Sequence, residues 1–348
     1  MTTTPEAVFD AGYRVLGADE LARLKNHARD FATEVLIGLS EKPKRIPSRF
    51  FYDDEGSRLF QRIMGVSDYY LTSCETEILT AECARIVDTL GTGPIDIVDL
   101  GAGDGLKTTI LLEELVRRGL SFRYVPIDIS EGAMRAVVER MRARYAGIDV
   151  QGIVASYIDG LEWLAQASRD SARTTCVLFL GSNIGNFDHP HARAYLRCLW
   201  NALRTGDHVL IGFDLKKDID VLLAAYNDDQ GVTAAFNLNL LTRMNRELGA
   251  CFDLTKFRHF GTYDVMTGAM KSYLVSIEEQ DVWIDALRHS FRFNAWEPVH
   301  TEYSYKYLMS DIRSLASDTG FTPRLELTDR RGYFLDALWS VDRTNNVS

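Results

Sequence analysis

With 348 residues, 46% of them hydrophobic and 25% charged, the chain has an ordinary globular composition and room for one large domain or two closely joined ones. Its 49 acidic and 39 basic side chains give a formal net charge of −10, which argues against nucleic acid or an anionic membrane and for a small substrate that is not strongly anionic. Five cysteines without a Cys-x-x-Cys pair fit reduced thiols, the opening MTTTPEAVFDAGYRV lacks a basic start and apolar block, and no apolar run reaches membrane-spanning length; a cytoplasmic location is expected.

In chain order, the first dozen residues read as a loose arm, and Leu21, Leu24 and Phe31 recur at helical steps, predicting a helix over 18–39. The stretch from Glu41 to Leu79, with two prolines, Phe-Phe-Tyr, Tyr-Tyr and an Asp-Glu-Gly turn, reads as aromatic-rich loops around a short helix, of the kind that line pockets. Lys42-Pro43-Lys44-Arg45 is a short basic run expected to be solvated. From about Glu75 strands and helices alternate: IDIVDLGAG, a helix through LKTTILLEELVRRG, FRYVPIDIS, a helix through EGAMRAVVERMRARYAG, then DVQGIVAS, TTCVLFLGS and DHVLIGFDL. That rhythm predicts a parallel sheet with right-handed crossovers.

After Leu215 the rhythm breaks into a segment of helices, DVLLAAYND and VTAAFNLNLLTRMNREL, with a possible strand at MKSYLVSIEE; this reads as an insertion beside the sheet. TEYSYKYL, a helix through MSDIRSLASDTG and the apolar YFLDALWSVD follow, the last predicted to return to the sheet. The pair His189 and His191 reads as a surface turn rather than a ligand set, so no metal is expected.

Asp99-Leu100-Gly101-Ala102-Gly103-Asp104-Gly105 follows an apolar strand and opens a helix, so its glycines allow a tight turn and close backbone approach to a nucleoside. Asp128 closes the next strand, where a carboxylate can accept both ribose hydroxyl protons. The spacing lacks the third glycine of a dinucleotide fingerprint, which favours a nucleoside bearing a sulfonium over a pyrophosphate. The expected cofactor is therefore S-adenosylmethionine, with Gly101, Ala102, Gly103, Lys107 and Asp128 in its site and methyl transfer as the chemistry. A sulfonium is already activated, so the protein need supply mainly alignment, desolvation and a neutral nucleophile.

Five separated blocks carry a resemblance: Phe51-Tyr52-Asp53 with Gly56-Ser57; Asp68 to Thr72 with Glu75 to Leu79; Gly181-Ser182-Asn183-Ile184-Gly185-Asn186-Phe187; Gly231 to Asn237; and Glu302-Tyr303-Ser304. On these the chain resembles the histidine-specific Nα-methyltransferases of ergothioneine biosynthesis, whose relatives act on prenylated tryptophan. The resemblance runs from about Leu21 to Val341. It implies an α/β protein: a Rossmann-like methyltransferase domain with a mainly parallel sheet (73–215 and 305–348) and a smaller α+β substrate-binding domain (18–72 and 216–304). It also implies that Asn186 and Tyr226 hold a substrate carboxylate with Thr233 nearby, that Tyr52 and Tyr69 surround the amine as the catalytic pair, and that Glu302 and Ser304 bind an imidazole. A free amino acid, histidine foremost, would be methylated on its α-amine, ending in a betaine; tryptophan-like substrates or a non-catalytic cofactor-binding role are the alternatives.

Glu302 and Ser304 stand two apart in a stretch that can be extended, so they project from one face. The chain departs from the family where Leu71-Thr72-Ser73 replaces Pro-Thr-Arg and where Ser272 replaces a pocket methionine, which opens the question of substrate. Ser156 and Tyr157 stand where an Asp-Phe pair often meets adenine, and are carried over as cofactor residues on that basis.

Overall fold

The computed structural model describes residues 12–15, 20–145, 147–167 and 171–343. All but the last of the dozen residues expected as a loose arm lie outside the described residues. The chain opens with β1 (Tyr13–Val15), α1 (Glu20–Ser40), β2 (Lys44–Arg45), α2 (Asp54–Met64) and α3 (Tyr70–Leu90). Alternation follows: β3 (Ile95–Leu100), α4 (Leu106–Arg117), β4 (Phe122–Asp128), α5 (Glu131–Arg144), β5 (Asp149–Val150), β6 (Gly152–Val154), α6 (Tyr157–Ala167), β7 (Thr174–Phe179), α7 (His189–Ala202) and β8 (His208–Asp214). Then come α8 (Ile219–Tyr226), α9 (Val232–Leu248), β9 (Phe257–Asp264), β10 (Ala269–Ser276), β11 (Gln280–Ile284), β12 (His289–Phe293) and β13 (Glu297–Tyr305), before α10 (Met309–Thr319), β14 (Phe321–Thr328) and β15 (Phe334–Val341).

The main sheet runs β1-β6-β4-β3-β7-β8-β15-β14, with β5 beside β4. Its strands from β1 to β8 are parallel to their neighbours, while β15 is antiparallel to both β8 and β14. Ile-Asp-Ile-Val-Asp-Leu is buried along all of β3 because helices cover both faces: Val98 and Leu100 join one core, Ile95 and Ile97 the other. The chain steps outward from β3 to β4 and β6, then returns on the other side as β7 and β8. The reversal between β3 and β7 leaves a crevice beyond the carboxyl ends of the strands, the usual ligand position in such sheets.

A second sheet, β2-β13-β10-β9, packs against α9 through Leu274, Phe236 and Leu240. The two sheets meet where β8 and β13 end: the Tyr307 N–H donates to the Asp214 carbonyl at 2.9 Å and the Lys216 N–H to the Tyr307 carbonyl at 2.9 Å.

Two expectations change. The aromatic stretch is not loop beyond Tyr69, because Leu71, Cys74, Ile78, Leu79, Ile86, Val87 and Leu90 form the buried stripe of α3; the helix is set by what its far end packs against. The insertion holds more strand than MKSYLVSIEE suggested, since β11 and β12 are only five residues each and β9, though eight long, buries only Phe257 and Gly261 and carries little periodic signal.

Tyr52 owes its position to the residue after it. Asp53 caps α2 by accepting from the Gly56 N–H at 2.7 Å, and α9 holds the same carboxylate through Asn239 Nδ2 at 2.8 Å and Arg246 at 2.6 Å. Gly56 is required by packing, because a Cβ there would fall 1.7 Å from the Phe51 carbonyl oxygen. Gly56→Ala is expected to destabilise the protein by about 1–3 kcal/mol through forced backbone movement. Urea unfolding checks this, with an unchanged midpoint as the contrary result.

Candidate active site

The glycine loop closes β3 with three residues in the left-handed region, Gly101 at φ 73°, Gly103 at 53° and Gly105 at 64°, where side chains are strained. The loop is pinned to β4: the Gly101 and Ala102 N–H groups donate to the Ile127 carbonyl at 2.8 and 3.3 Å. Asp128 then accepts from the Gly103 N–H at 2.9 Å with one oxygen and from the Ser130 N–H at 2.9 Å with the other. Burial pushes its carboxyl up, opposed by these two backbone donors. Behind the loop, Asp99 accepts from Thr108 at 2.6 Å and Tyr124 at 2.9 Å, anchoring α4; burial raises it to about 6.

A Cβ added to Gly101 would fall 2.8 Å from Tyr157 Oη and 2.9 Å from Asn183 Nδ2, so the missing side chain leaves a cradle roofed by these two groups. Lys107 enters the same crevice, 3.4 Å from where a Cβ on Gly181 would stand. It pairs with Glu75, whose other oxygen accepts the Gly181 N–H at 2.7 Å. Ser156 is engaged in capping α6, donating to Asp159 at 2.7 Å and accepting from the Asp159 N–H at 3.2 Å. The cradle, a buried carboxylate beside it and a cation in the crevice suit a nucleoside carrying a charged amino-acid tail.

Next to this crevice lies a cavity with an empty volume, counted to its mouth, of about 520 Å³. Tyr52, Tyr69, Asn186, Tyr226, Thr233, Glu302 and Ser304, drawn from the five blocks and, for Tyr226, from just before the fourth, all line it. Gly181, Ser182 and Asn183 line it too, so the segment after β7 is the wall shared by crevice and cavity. One side is aromatic: Phe60 stands 5.8 Å from Tyr52, 6.2 Å from Tyr69 and 5.9 Å from Phe236, and Tyr69 stands 6.4 Å from Tyr226, between ring centres. Burial, with Glu302 adding to it, pushes the Tyr52 and Tyr69 phenols well above their ordinary value, so both are neutral hydroxyls. Opposite, Glu302 and Ser304 project from the same face of β13, and burial lifts the Glu302 carboxyl to about 7 against the pull of Lys306.

Beneath that wall lies a buried polar network. Lys306 Nζ donates to Ser304 Oγ at 2.7 Å, to Tyr226 Oη at 2.8 Å and to Asp214 at 2.7 Å, and the Tyr226 hydroxyl donates to Ser304 Oγ at 2.7 Å. Asp214 also accepts from Tyr70 Oη at 2.9 Å and from Lys217. Sequence reading missed Lys306, Asp214 and Glu75, since nothing local marks a lysine or carboxylate as buried. It missed Asn183, Phe60 and Phe236 as well, although Asn183 and Phe236 lie inside blocks already singled out and Phe60 sits one α2 turn beyond another.

A crevice at the sheet reversal, a glycine turn facing a strand-ending carboxylate and an adjoining cavity define a Rossmann-like methyltransferase. A family model described as histidine-specific methyltransferase, SAM-dependent, matches residues 31–341. The chain is 34% identical to a histidine N-alpha-methyltransferase of Mycolicibacterium smegmatis over 88% of its own length and 95% of the relative's. It is 33% identical to one of Mycobacterium tuberculosis, covering 86% and 92%. It is also 24% identical to a 4-dimethylallyltryptophan N-methyltransferase of Penicillium roqueforti, covering 83% and 87%. The chain belongs to the histidine-specific, S-adenosylmethionine-dependent methyltransferase family, and is an enzyme with S-adenosylmethionine as its cofactor.

Asp128→Ala removes the carboxylate that meets the glycine turn, and with it hydrogen bonds to a charged group of about 1.5–3 kcal/mol. Titration with S-adenosylhomocysteine is expected to show affinity reduced by on the order of tenfold or more; unchanged affinity would remove Asp128 from the cofactor site.

Proposed function

We propose that the enzyme methylates the α-amine of free L-histidine, successively to the trimethylated betaine. The observation that carries this reading is the placement of Glu302 and Ser304 side by side on one face of β13, opening into a cavity with one aromatic side next to the cofactor crevice. An imidazole offers one N–H and one bare nitrogen, which matches a carboxylate acceptor and a hydroxyl at that wall. The names of the Mycolicibacterium and Mycobacterium relatives support the same substrate.

Bound S-adenosylmethionine supplies an electrophilic methyl group on a cationic sulfur, and Gly101, Ala102, Gly103, Lys107 and Asp128, with Tyr157 as roof and Ser156 at its edge, are the residues that would hold it. Asn186, Tyr226 and Thr233 line the part of the cavity assigned to the substrate carboxylate. Tyr52 and Tyr69, held neutral, accept the amine's N–H bonds and keep its lone pair directed toward the crevice rather than stripping a proton as phenolates. Each transfer leaves the nitrogen cationic, so it must release a proton through the cavity mouth before the next; after the third methyl it is a fixed cation, which the faces of Tyr52, Phe60, Tyr69 and Phe236 accommodate at about 0.5–2 kcal/mol each where desolvated.

The second reading is a tryptophan-like substrate, favoured by Leu71 in the cavity lining and by Ser272, a small side chain that β10 sets in register with Glu302. An indole has a single N–H and would leave Ser304 or Glu302 without a partner, so we rank histidine first. The five free thiols support a cytoplasmic setting, and the net charge of −10 supports a small substrate over nucleic acid. Among the described residues, no helix is long and apolar enough to cross a membrane.

Incubation with labelled methyl donor and a panel of histidine, tryptophan, 4-dimethylallyltryptophan and leucine tests the proposal: trimethylated histidine is the expected main product, and transfer to none of these amines would sink it. Glu302→Ala should lower kcat/KM for histidine by on the order of tenfold to a hundredfold, the loss of a hydrogen bond to a charged group. The loss for an amino acid without a ring nitrogen should be smaller, and equal losses would make Glu302 structural only.

The pH dependence has a definite sign. A carboxyl raised to about 7 is an acceptor above that pH and is protonated below it, so histidine kcat/KM should fall as pH drops through 7. Dividing the wild-type profile by that of Glu302→Gln cancels the substrate's own titrations; a ratio flat across pH 6–8 contradicts the assignment.

A further inference from the structure

Tyr226 and Thr233 both line the cavity and stand at the two ends of the turn that joins α8 to α9. Inside the turn Asp228 accepts from the Val232 N–H at 2.8 Å and the Thr233 N–H at 2.7 Å, and its carbonyl accepts from the Gly231 N–H at 3.0 Å, so the two cavity residues are held as a unit. What fixes that unit is β9, the edge strand of the second sheet. The Gly261 N–H donates to Asn227 Oδ1 at 2.8 Å, and Asn227 Nδ2 donates to the Gly261 carbonyl at 3.0 Å and the Leu223 carbonyl at 2.9 Å. A backbone N–H only donates and a carbonyl only accepts, so the orientation of the Asn227 amide is settled. One side chain thus meets the spare N–H and C=O of an edge strand as a further strand would. His259, two residues earlier on β9, holds the Tyr226 carbonyl through Nε2 at 2.9 Å. Gly261 permits this approach, since a Cβ there would fall 3.0 Å from the Asn227 amide and from the Tyr226 carbonyl oxygen.

Gly261 stands opposite Ser272 on β10, and Ser272 stands opposite Glu302 on β13. The anchor of the turn and the carboxyl assigned to the ring therefore share one row of the sheet, two strand spacings or about 10 Å apart. We propose that Asn227, which does not line the cavity, is a positioning residue that locks the turn carrying Tyr226 and Thr233 to the sheet row carrying Glu302, and so sets the span between substrate carboxylate and substrate ring. The inference rests on the reading that Tyr226 and Thr233 hold the carboxylate, and goes beyond it in naming the residue that ties the two ends of the site together. A ligand with a ring and no carboxylate is indifferent to Asn227, whereas one with both depends on it.

Histidine and histamine are the probes, since histamine keeps the ring and the amine and lacks only the carboxylate. Both are titrated against the enzyme–S-adenosylhomocysteine complex, histamine by competition with histidine. Wild-type enzyme should bind histidine more tightly by on the order of a hundredfold, the scale of hydrogen bonds to a charged group. Asn227 is exposed, so in Asn227→Ala water meets the Gly261 groups and the fold is kept. That variant should bind histidine about tenfold more weakly, with histamine and S-adenosylhomocysteine affinities within about twofold of wild type. His259→Leu, which removes the hold on the Tyr226 carbonyl from the same strand, should show the same selective loss. Equal weakening of histidine and histamine, or histidine affinity unchanged in Asn227→Ala, overturns the role of Asn227. A wild-type enzyme that binds histidine no better than histamine overturns the placement of the carboxylate at Tyr226 and Thr233 instead.

Discussion

The site depends on one carboxylate with no exposed surface, Asp214 at the end of β8. It binds Lys306 just past β13, Lys217 at the start of the insertion and Tyr70 at the start of α3, so three separate segments converge on it. Two lysines converge on Asp214, and Lys306 also pulls on the nearby Glu302 carboxyl. Removing a single partner from such a group typically costs about 3–5 kcal/mol, because the remaining charge stays buried. Its backbone is tied as tightly, donating to Ser182 Oγ at 3.2 Å and accepting from the Tyr307 N–H at 2.9 Å. The wall that carries Glu302 and Ser304 is thus fixed relative to the sheet that carries the glycine loop.

A second buried acid does the same work nearer the cofactor. Glu75 reaches from α3 to the Gly181 N–H and to Lys107, joining the helix to the segment after β7 and to α4. That segment turns sharply, with Gly181 at φ 75° and Ser182 at φ 58°, a conformation a serine adopts only when its surroundings demand it. Methyl transfer asks a protein chiefly to hold two ligands in line and keep water out. Both acids fix the segment that separates crevice from cavity, Glu75 through the Gly181 N–H and Asp214 through Ser182.

Much of this was legible in the sequence, and the reason differs by element. The sheet strands from β3 to β8 are short apolar runs separated by amphipathic helices, and that rhythm alone gives their parallel sense. The glycine turn and Asp128 were legible because the turn needs left-handed residues and the strand end needs an acid. Glu302 and Ser304 were legible only as a pair two apart; their ligand came from the resemblance. The start of α3 was not legible, since Tyr69-Tyr70-Leu71 has the composition of a loop and becomes helical as α3 is buried against α4 and β15. Lys306 and Asp214 read as ordinary surface charges, because burial of a charge is decided by partners 92 residues apart in the chain. Ser156 was legible as a position but not as a role, since its hydroxyl is taken up by Asp159.

The central claim is that one wall holds the ring while the sheet edge holds the methyl donor, with the amine between them. A crystal structure of the enzyme with S-adenosylhomocysteine and histidine tests it most directly. The ribose hydroxyls should lie within hydrogen-bond distance of Asp128, the imidazole between Glu302 and Ser304, and the amine nitrogen close to the cofactor sulfur beside Tyr52 and Tyr69. Histidine bound with its ring away from β13, or the cofactor seated away from the turn after β3, would contradict the account.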